Sequence, residues 1–159
     1  MKVGIVMGSK SDYPVVERAE KVLTDFGVEF ETRIISAHRT PVAAMEFASK
    51  AEENGIEVII AAAGKAAHLG GVLAAFTPMP VIGLPVKSST LTGLDSLLSI
   101  VQMPKGVPVA TVAIDGAENA GILAVQMLSL KYPELRQAMK DYKAKMEREV
   151  MAIDAEFQK

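Results

Sequence analysis

The feature that most constrains this fold is a regular alternation of short apolar segments with longer segments of helical spacing. Five times along the chain, a segment that suits a buried strand is followed by a turn and then by a helical pattern. The five predicted strands are residues 3–7, 28–35, 58–63, 81–84 and 109–114. This order predicts parallel strands joined by right-handed crossovers, and therefore an α/β fold with an open sheet between two layers of helices.

Glycine, proline and threonine mark the expected ends of the helices. The first predicted helix begins near Pro14 and ends at Gly27. Thr40 followed by Pro41 is typical of a helix start, and this second helix is expected to run to about Asn54. A third helix is predicted to emerge from residues 65–71 and to end near residue 76, and two more are predicted at 94–101 and 116–131.

The chain is long enough for one domain with a substantial core, since half of its 159 residues are hydrophobic. Residues 1–131 are predicted to form the α/β catalytic domain, and residues 132–159 a charged C-terminal helix with one apolar stripe. The stripe consists of Leu135, Met139, Tyr142, Met146, Val150 and Ile153. It could pack on its own sheet, but the domain already has its helices by residue 131. We therefore favour packing on a neighbouring subunit.

Composition excludes several classes of function. The absence of cysteine removes disulfides, thiolate catalysis and cysteine-based metal sites. A net charge of -2 provides no basic surface for nucleic acid. No apolar run approaches the roughly 20 residues of a membrane span, and no basic segment of a signal peptide precedes the first strand. We therefore expect a cytoplasmic protein without a membrane partner. The only two histidines, His38 and His68, lack the spacing of a metal site.

Three polar or glycine-rich loops follow the first three predicted strands, at residues 8–12, 36–40 and 64–71. In open parallel sheets, ligands bind outside the carboxyl ends of the strands. Since all three loops lie at that edge, the sequence predicts one ligand site there. The loop 8–12 alone could be an ordinary strand–turn–helix corner, because it lacks the glycine pattern of a phosphate loop.

Individual residues in these loops suit a small anionic ligand. Ser9, Ser11 or Asp12 can cap the following helix, whose amino terminus attracts phosphate, and Asp12 could also hold sugar hydroxyls. His38 can move protons near neutral pH. Arg39 can bind phosphate or carboxylate with two parallel hydrogen bonds.

Two further residues of the third loop are weaker candidates. Lys65 adds a second cation at the same edge, although lysines at loop edges are usually solvated, and His68 could be either structural or functional. Together with the residues of the first two loops, they suit a phosphorylated sugar. They do not specify a reaction.

Two other functions are compatible with such a fold. A flavin-binding protein would stack aromatic side chains on the ring, yet neither 36–40 nor 64–71 contains Phe, Tyr or Trp. A phosphoacceptor receiver domain needs an aspartate at the end of the third strand. Residues 61–64 are Ala-Ala-Ala-Gly instead. Both alternatives are therefore disfavoured.

Four motifs resemble those of the class I PurE family of purine biosynthesis. They are Gly-Ser-Lys-Ser-Asp at 8–12, Ser-Ala-His-Arg-Thr-Pro at 36–41, Ala-Ala-His-Leu at 66–69 and Gly-Leu-Asp-Ser-Leu-Leu-Ser-Ile-Val-Gln-Met-Pro at 93–104. They occur in the family's order, and the resemblance runs over about residues 3–131. The resemblance implies a flavodoxin-like three-layer fold and a homo-octamer in which the last helix reaches a neighbour. It also implies that no metal or organic cofactor is needed.

The resemblance further implies an activity, the conversion of N5-carboxyaminoimidazole ribonucleotide to 4-carboxy-5-aminoimidazole ribonucleotide. In this family a carbamate releases CO2, which recombines at C4 of the imidazole. Ser9, Ser11 and Arg39 would hold the 5′-phosphate region, and Asp12 the ribose hydroxyls. His38 would be the general acid and base. Ser36 and His68 would complete the substrate site.

The chain departs from the family pattern at two positions of the third loop. The family usually has glycine at position 65 and proline at position 70, whereas this chain has Lys65 and Gly70. Class II relatives, which use CO2 and aminoimidazole ribonucleotide directly, carry a basic residue in the matching loop. Carboxylation of that kind is therefore the alternative activity.

Overall fold

The computed structural model describes residues 1–158 and contains one sheet of five parallel strands in the order β2-β1-β3-β4-β5. The strands are β1 (Lys2–Met7), β2 (Glu29–Ile34), β3 (Ile56–Gly64), β4 (Val81–Val86) and β5 (Ala110–Thr111). This order is the flavodoxin-like one, in which the chain reverses direction across the sheet between β1 and β3. The predicted fold class is confirmed.

Within residues 1–158, six α-helices and one short 3-10 helix, Lys10–Asp12, connect or follow the strands. The helices are α1 (Tyr13–Asp25), α2 (Pro41–Ser49), α3 (Leu69–Phe76), α4 (Leu94–Val101), α5 (Ala117–Leu128) and α6 (Pro133–Phe157). Helix α4 has the bounds predicted from the sequence. Over residues 1–158, no helix combines the length and the apolar character needed to cross a membrane.

The sheet carries a hydrophobic core on each face, because side chains alternate along each strand. Ile5 and Ile60 belong to the core that includes residues of α1 and α5, whereas Val6 and Ile59 belong to the core that includes residues of α2 and α3. All four side chains are fully buried. Burial of such a side chain contributes about 1.5–3 kcal/mol, so the two cores are the main source of stability and support the loops at the strand ends.

Gly4 allows α2 to approach the centre of the sheet. A Cβ atom at this position would lie 2.8 Å from the ring of Phe47 on α2, which is closer than real side chains pack. From the sequence, Gly4 is predicted only to be part of an apolar strand. Its packing role becomes visible once α2 is placed against β1.

Two elements are shorter than predicted. Helix α2 ends at Ser49 rather than near Asn54, because the Ala51 amide donates to the Ala48 carbonyl three residues back (3.3 Å) and the chain continues as turns to Gly55. Strand β5 comprises two residues rather than six. It lies at the edge of the sheet, where Pro108 before it and Pro85 on β4 have no N–H group to extend the pairing.

Helix α6 packs on its own domain with its first half only. Leu135 and Met139 are buried in the core shared with α1 and α5, and the ring of Tyr142 meets Phe26 edge-on with centroids 5.6 Å apart. Farther along, Val150 and Ile153 are 66% and 65% exposed. The predicted apolar stripe is therefore divided into a buried and an exposed half.

Candidate active site at the carboxyl end of the sheet

A cavity of about 720 Å³ lies at the carboxyl end of the strands, where the loops after β1, β2, β3 and β4 meet. The three loops predicted from the sequence all contribute to its wall. It is lined by Gly8, Ser9, Ser11, Asp12, Ser36, Ala37, His38, Arg39, Ala63, Gly64, Lys65, Ala66, Leu69, Lys87, Ser88 and Ser89. The segment 87–89 was not identified from the sequence. Its position directly after a parallel strand was the signal that could have revealed it.

The loop after β1 forms the 3-10 helix and holds its serines in a compact turn. Ser9 caps this helix, and its hydroxyl oxygen accepts hydrogen bonds from the Ser11 amide (3.3 Å) and the Ser11 hydroxyl (2.9 Å). Within residues 1–158, the Lys10 amide makes no hydrogen bond. This backbone donor and the Ser9 hydroxyl therefore remain for an anion.

Asp12 lies at the N-cap position of α1, but its side chain makes no capping hydrogen bond. The residue is only 9% exposed, and burial raises the pKa of its carboxyl group above the ordinary value. Hydrogen bonds from the side chain of Ser11 and the backbone of Ser9 partly oppose this pKa shift. A buried carboxylate with spare acceptor capacity favours a ligand that donates hydrogen bonds, such as a pair of sugar hydroxyls.

The loop after β2 is closed by Thr40. Its hydroxyl donates to the Ser36 carbonyl (3.0 Å) and accepts from the Ser36 amide (2.9 Å). Thr40 does occupy the predicted N-cap position of α2, but its hydroxyl is used in this loop and makes no capping bond. The tight closure presents the intervening residues His38 and Arg39 at the cavity.

Arg39 connects the first two loops. Its Nη2 donates to the carbonyl of Gly8 (2.9 Å), and its Nε donates to the hydroxyl of Ser36 (3.3 Å). The Arg39 amide also donates to that hydroxyl (3.2 Å). These bonds orient the guanidinium group and leave Nη1 without a partner among residues 1–158, so part of its fork remains available to an anion.

His38 and His68 contact each other across the site, although 30 residues separate them. Nε2 of His38 lies 2.9 Å from Nδ1 of His68, and the two rings are nearly perpendicular. Only one proton fits between these nitrogens, so one ring donates and the other accepts. Because Nε2 is engaged, Nδ1 of His38 is the nitrogen left for a ligand. His68 is absent from the cavity wall and reaches the site through this contact.

Two exposed lysines, Lys65 and Lys87, also line the cavity, and neither ammonium group is paired within residues 1–158. Lys65 has a φ angle of 56°, in the left-handed region that favours glycine. The Ala67 and His68 amides then donate to carbonyls only two residues back, so α3 begins only at Leu69. Lys87 is held through its amide, which donates to the carboxylate of Asp115 (2.8 Å).

The cavity wall contains no Phe, Tyr or Trp and therefore offers no aromatic face for a flavin. Strand β3 ends in Ala63 and Gly64, so the wall has no phosphoacceptor aspartate at that point. The structural features that would support the two alternative functions are missing from this part of the described chain.

Comparison with known proteins gives a consistent result. A family described as AIR carboxylase matches residues 2–149. N5-carboxyaminoimidazole ribonucleotide mutase of Pyrococcus abyssi is 64% identical over 92% of this chain and 84% of its own length. The mutase of Thermotoga maritima is 61% identical over 94% and 88%. PurE of Treponema denticola superimposes with a TM-score of 0.91 over 99% of both chains at 29% identity. On these matches and on its four motifs, the chain belongs to the AIR carboxylase (PurE) family.

Proposed function

We propose that this protein is a mutase that converts N5-carboxyaminoimidazole ribonucleotide into 4-carboxy-5-aminoimidazole ribonucleotide in de novo purine biosynthesis. The observation that carries the proposal is His38, held by His68 at 2.9 Å beside an anion-binding loop and Arg39. The relatives from Pyrococcus abyssi and Thermotoga maritima bear the name of this mutase and are more than 60% identical to the chain.

The two ends of the nucleotide match the two kinds of polar group in the cavity. Ser9, Ser11 and Arg39 bind the 5′-phosphate region through hydroxyl, amide and guanidinium donors. Asp12 accepts hydrogen bonds from the ribose hydroxyls. Ser36 fixes Arg39 and can still donate its own hydroxyl proton to the substrate.

His38 performs the proton transfers. When the carbamate at N5 releases CO2, N5 takes up one proton. When CO2 forms a bond to C4, that carbon loses one proton to restore the aromatic ring. A single group that first donates and then accepts returns to its starting state, so one histidine suffices. Nδ1 of His38 is the nitrogen assigned to the substrate, and His68 holds the ring orientation through Nε2.

Retention of CO2 in the site makes its recombination effectively unimolecular. The alternative reaction is carboxylation of aminoimidazole ribonucleotide by CO2 from solution. It would use the same binding groups but no carbamate. The two reactions differ in the source of the carboxyl group. In the mutase reaction it is already attached to the substrate, whereas in the carboxylase reaction it comes from CO2 in solution.

The decisive experiment supplies each substrate separately to the purified protein. We expect rapid formation of the 4-carboxylate from N5-carboxyaminoimidazole ribonucleotide. Aminoimidazole ribonucleotide with bicarbonate should react only at high bicarbonate concentration. A faster reaction from aminoimidazole ribonucleotide at low bicarbonate would contradict the mutase assignment and support the carboxylase. No reaction from either substrate would exclude both.

The exposed half of helix α6 is proposed to dock on a neighbouring subunit of a homo-octamer. Exposed apolar side chains at this end are Met146, Val150, Met151, Ile153 and Phe157. Because Leu135 and Met139 are buried in the chain's own core, removal of the whole helix would damage the domain itself. A cut after Lys145 separates the two roles.

We therefore expect a chain ending at Lys145 to remain folded and to lose assembly. Light scattering should report a smaller particle than for the full chain, while circular dichroism keeps the α/β signature. The matched control replaces the exposed polar residue Lys140 of the same helix with glutamine and should leave the assembly intact. An unchanged particle mass for the shortened chain would refute docking by this segment.

A further inference from the structure

We propose that Lys65 binds the carboxyl group that the reaction moves and thereby makes the site selective for carboxylated ribonucleotides. This inference rests on the proposed function. It assigns a charge-recognition role to a position that the family pattern would fill with glycine.

Lys65 directly follows β3 and lies between Gly64 and Ala66, which also line the cavity. The same loop leads within three residues to His68, whose Nδ1 contacts His38. A cation in this loop is therefore close in the chain to the histidine pair, where the carboxyl group must leave one atom and join another.

The cavity has an excess of positive charge. Outside it, some lysines have carboxylate partners: Lys2 pairs with Glu31, Lys21 with Asp25 and Lys131 with Glu57. The cavity instead presents Arg39, Lys65 and Lys87, against a single lining carboxyl group, Asp12. A phosphate ester engages Arg39 and the loop after β1, which leaves cationic charge for a second anionic group on the ligand.

Lys65 is a better candidate than Lys87 for that second group. Lys87 follows β4, and within residues 1–158 its loop makes no hydrogen bond to either histidine; its amide donates to Asp115. Lys65 belongs to the loop that carries His68, and the Lys65 carbonyl accepts hydrogen bonds from the Ala67 amide (2.9 Å) and the Ser99 hydroxyl (3.4 Å). The backbone of Lys65 is thus fixed while its ammonium group remains unpaired.

The backbone conformation of Lys65 also supports a role for its charge. A φ angle of 56° is unfavourable for lysine and natural for glycine, so local folding alone favours the family's usual residue. Replacement of Lys65 by glycine or asparagine should therefore not destabilise the loop, since both residues tolerate this conformation. A loss of selectivity in these variants can then be attributed to the charge.

The test compares two ligands that differ by one carboxyl group, aminoimidazole ribonucleotide and its 4-carboxylate, by calorimetric titration. In K65G and K65N, the dissociation constant of the carboxylate should rise about 10-fold, as expected for one charge-assisted hydrogen bond, while that of the uncarboxylated nucleotide stays within about 2-fold. K65R should retain most of the preference. The midpoint of thermal unfolding should not fall in K65G or K65N. The matched control is K105N, at an exposed lysine outside the cavity, which should behave like the parent.

The outcomes separate this inference from the proposed function. If the parent performs the mutase reaction and K65G binds both nucleotides with unchanged constants, the role of Lys65 is wrong and the function stands. If K65G loses the preference for the carboxylate but the parent converts no substrate, the role of Lys65 stands and the function is wrong. If the parent binds neither nucleotide, both are overturned.

Discussion

The two ends of the sheet differ in the pairing of their charged side chains. At the amino end, Lys2 pairs with Glu31, and Glu57 accepts hydrogen bonds from Lys131 (2.9 Å) and Tyr132 (2.7 Å). At the carboxyl end, Lys65 and Lys87 line the cavity without a carboxylate partner among residues 1–158. The charges at the amino end are paired within the protein, whereas the lysines at the carboxyl end are unpaired and are proposed to bind a ligand.

Under the proposed function, one end of the scaffold contributes stability and the other binds an anion. Charges paired inside the protein at the amino end bring the N-terminus of β3 and the junction between α5 and α6 together. If the carboxyl end binds an anionic ligand, as proposed, the ligand should stabilise the folded state by an amount that rises with the logarithm of its concentration above the dissociation constant.

The largest expected effect comes from His38 at the carboxyl end. H38N keeps the size and some hydrogen bonding of the side chain but cannot transfer a proton, so kcat should fall by about 10²–10⁴-fold or more. Nucleotide affinity should persist, because phosphate and ribose are held by other residues. H68N is the comparison variant and should be impaired less. A normal kcat in H38N together with a lost kcat in H68N would make His68 the proton carrier.

Arg39 is expected to have the next largest effect. R39K replaces a planar fork by a single ammonium group and loses the bonds to Gly8 and Ser36, so KM should rise about 10-fold although the charge is conserved. The matched control is R33K, because Arg33 is exposed on β2 and its side chain makes no hydrogen bond or ion pair within residues 1–158. Equal KM values for R39K, R33K and the parent would exclude the phosphate-binding role.

Replacement of Asp12 tests whether ligand binding at the carboxyl end of the sheet lowers the stability of the free protein. D12N should weaken nucleotide binding about 10-fold or more, because a charged acceptor of the ribose hydroxyls is lost. The same variant should unfold at a higher temperature at pH 7 in the absence of ligand, because no carboxylate then has to be buried. The measurements are titration calorimetry and thermal unfolding, with D25N at an exposed ion-paired site as control.

The pH dependence of this effect follows from the direction of the pKa shift. Burial raises the pKa of Asp12 above its ordinary value of 3.8, so the folded protein holds this proton to higher pH than the unfolded chain. Asp12 therefore makes the free protein less stable as the pH rises from about 3.8 through the raised folded pKa. The stability difference between D12N and the parent should grow over that range and then level off. A constant difference would contradict burial as the cause.

Glu57 at the amino end should give the smallest effect. Burial opposes ionisation of Glu57, but the hydrogen bonds from Lys131 and Tyr132 hold the pKa of its carboxyl group below the ordinary value of 4.5. The stabilisation is therefore present above pH 4.5 and is lost as the pH falls through the lower, folded pKa. E57Q should lower the unfolding midpoint by about 1–3 °C at pH 7 and leave kcat and KM unchanged. A changed KM would show that the two ends are coupled.

Local patterns in the sequence predict much of the fold and the position of the site. Short, nearly continuous apolar strands alternate with helices of period 3.6, and this alternation alone predicts a parallel sheet covered on both faces. Pro14, Gly27 and Pro41 mark helix ends for reasons that involve only their own backbone geometry. The convergence of three loops at one edge also follows, because parallel strands place their carboxyl ends together.

The tertiary structure alone decided how the site residues meet. His38 and His68 lie in loops that follow different strands, and no local pattern states that their nitrogens approach to 2.9 Å. The same applies to the contact between Arg39 and the Gly8 carbonyl, and to the burial of Asp12. Only packing against neighbouring elements separates the buried half of α6 from its exposed half. Such contacts depend on the register and depth of whole elements, which are set by long-range packing, whereas periodicity and capping act over a few residues.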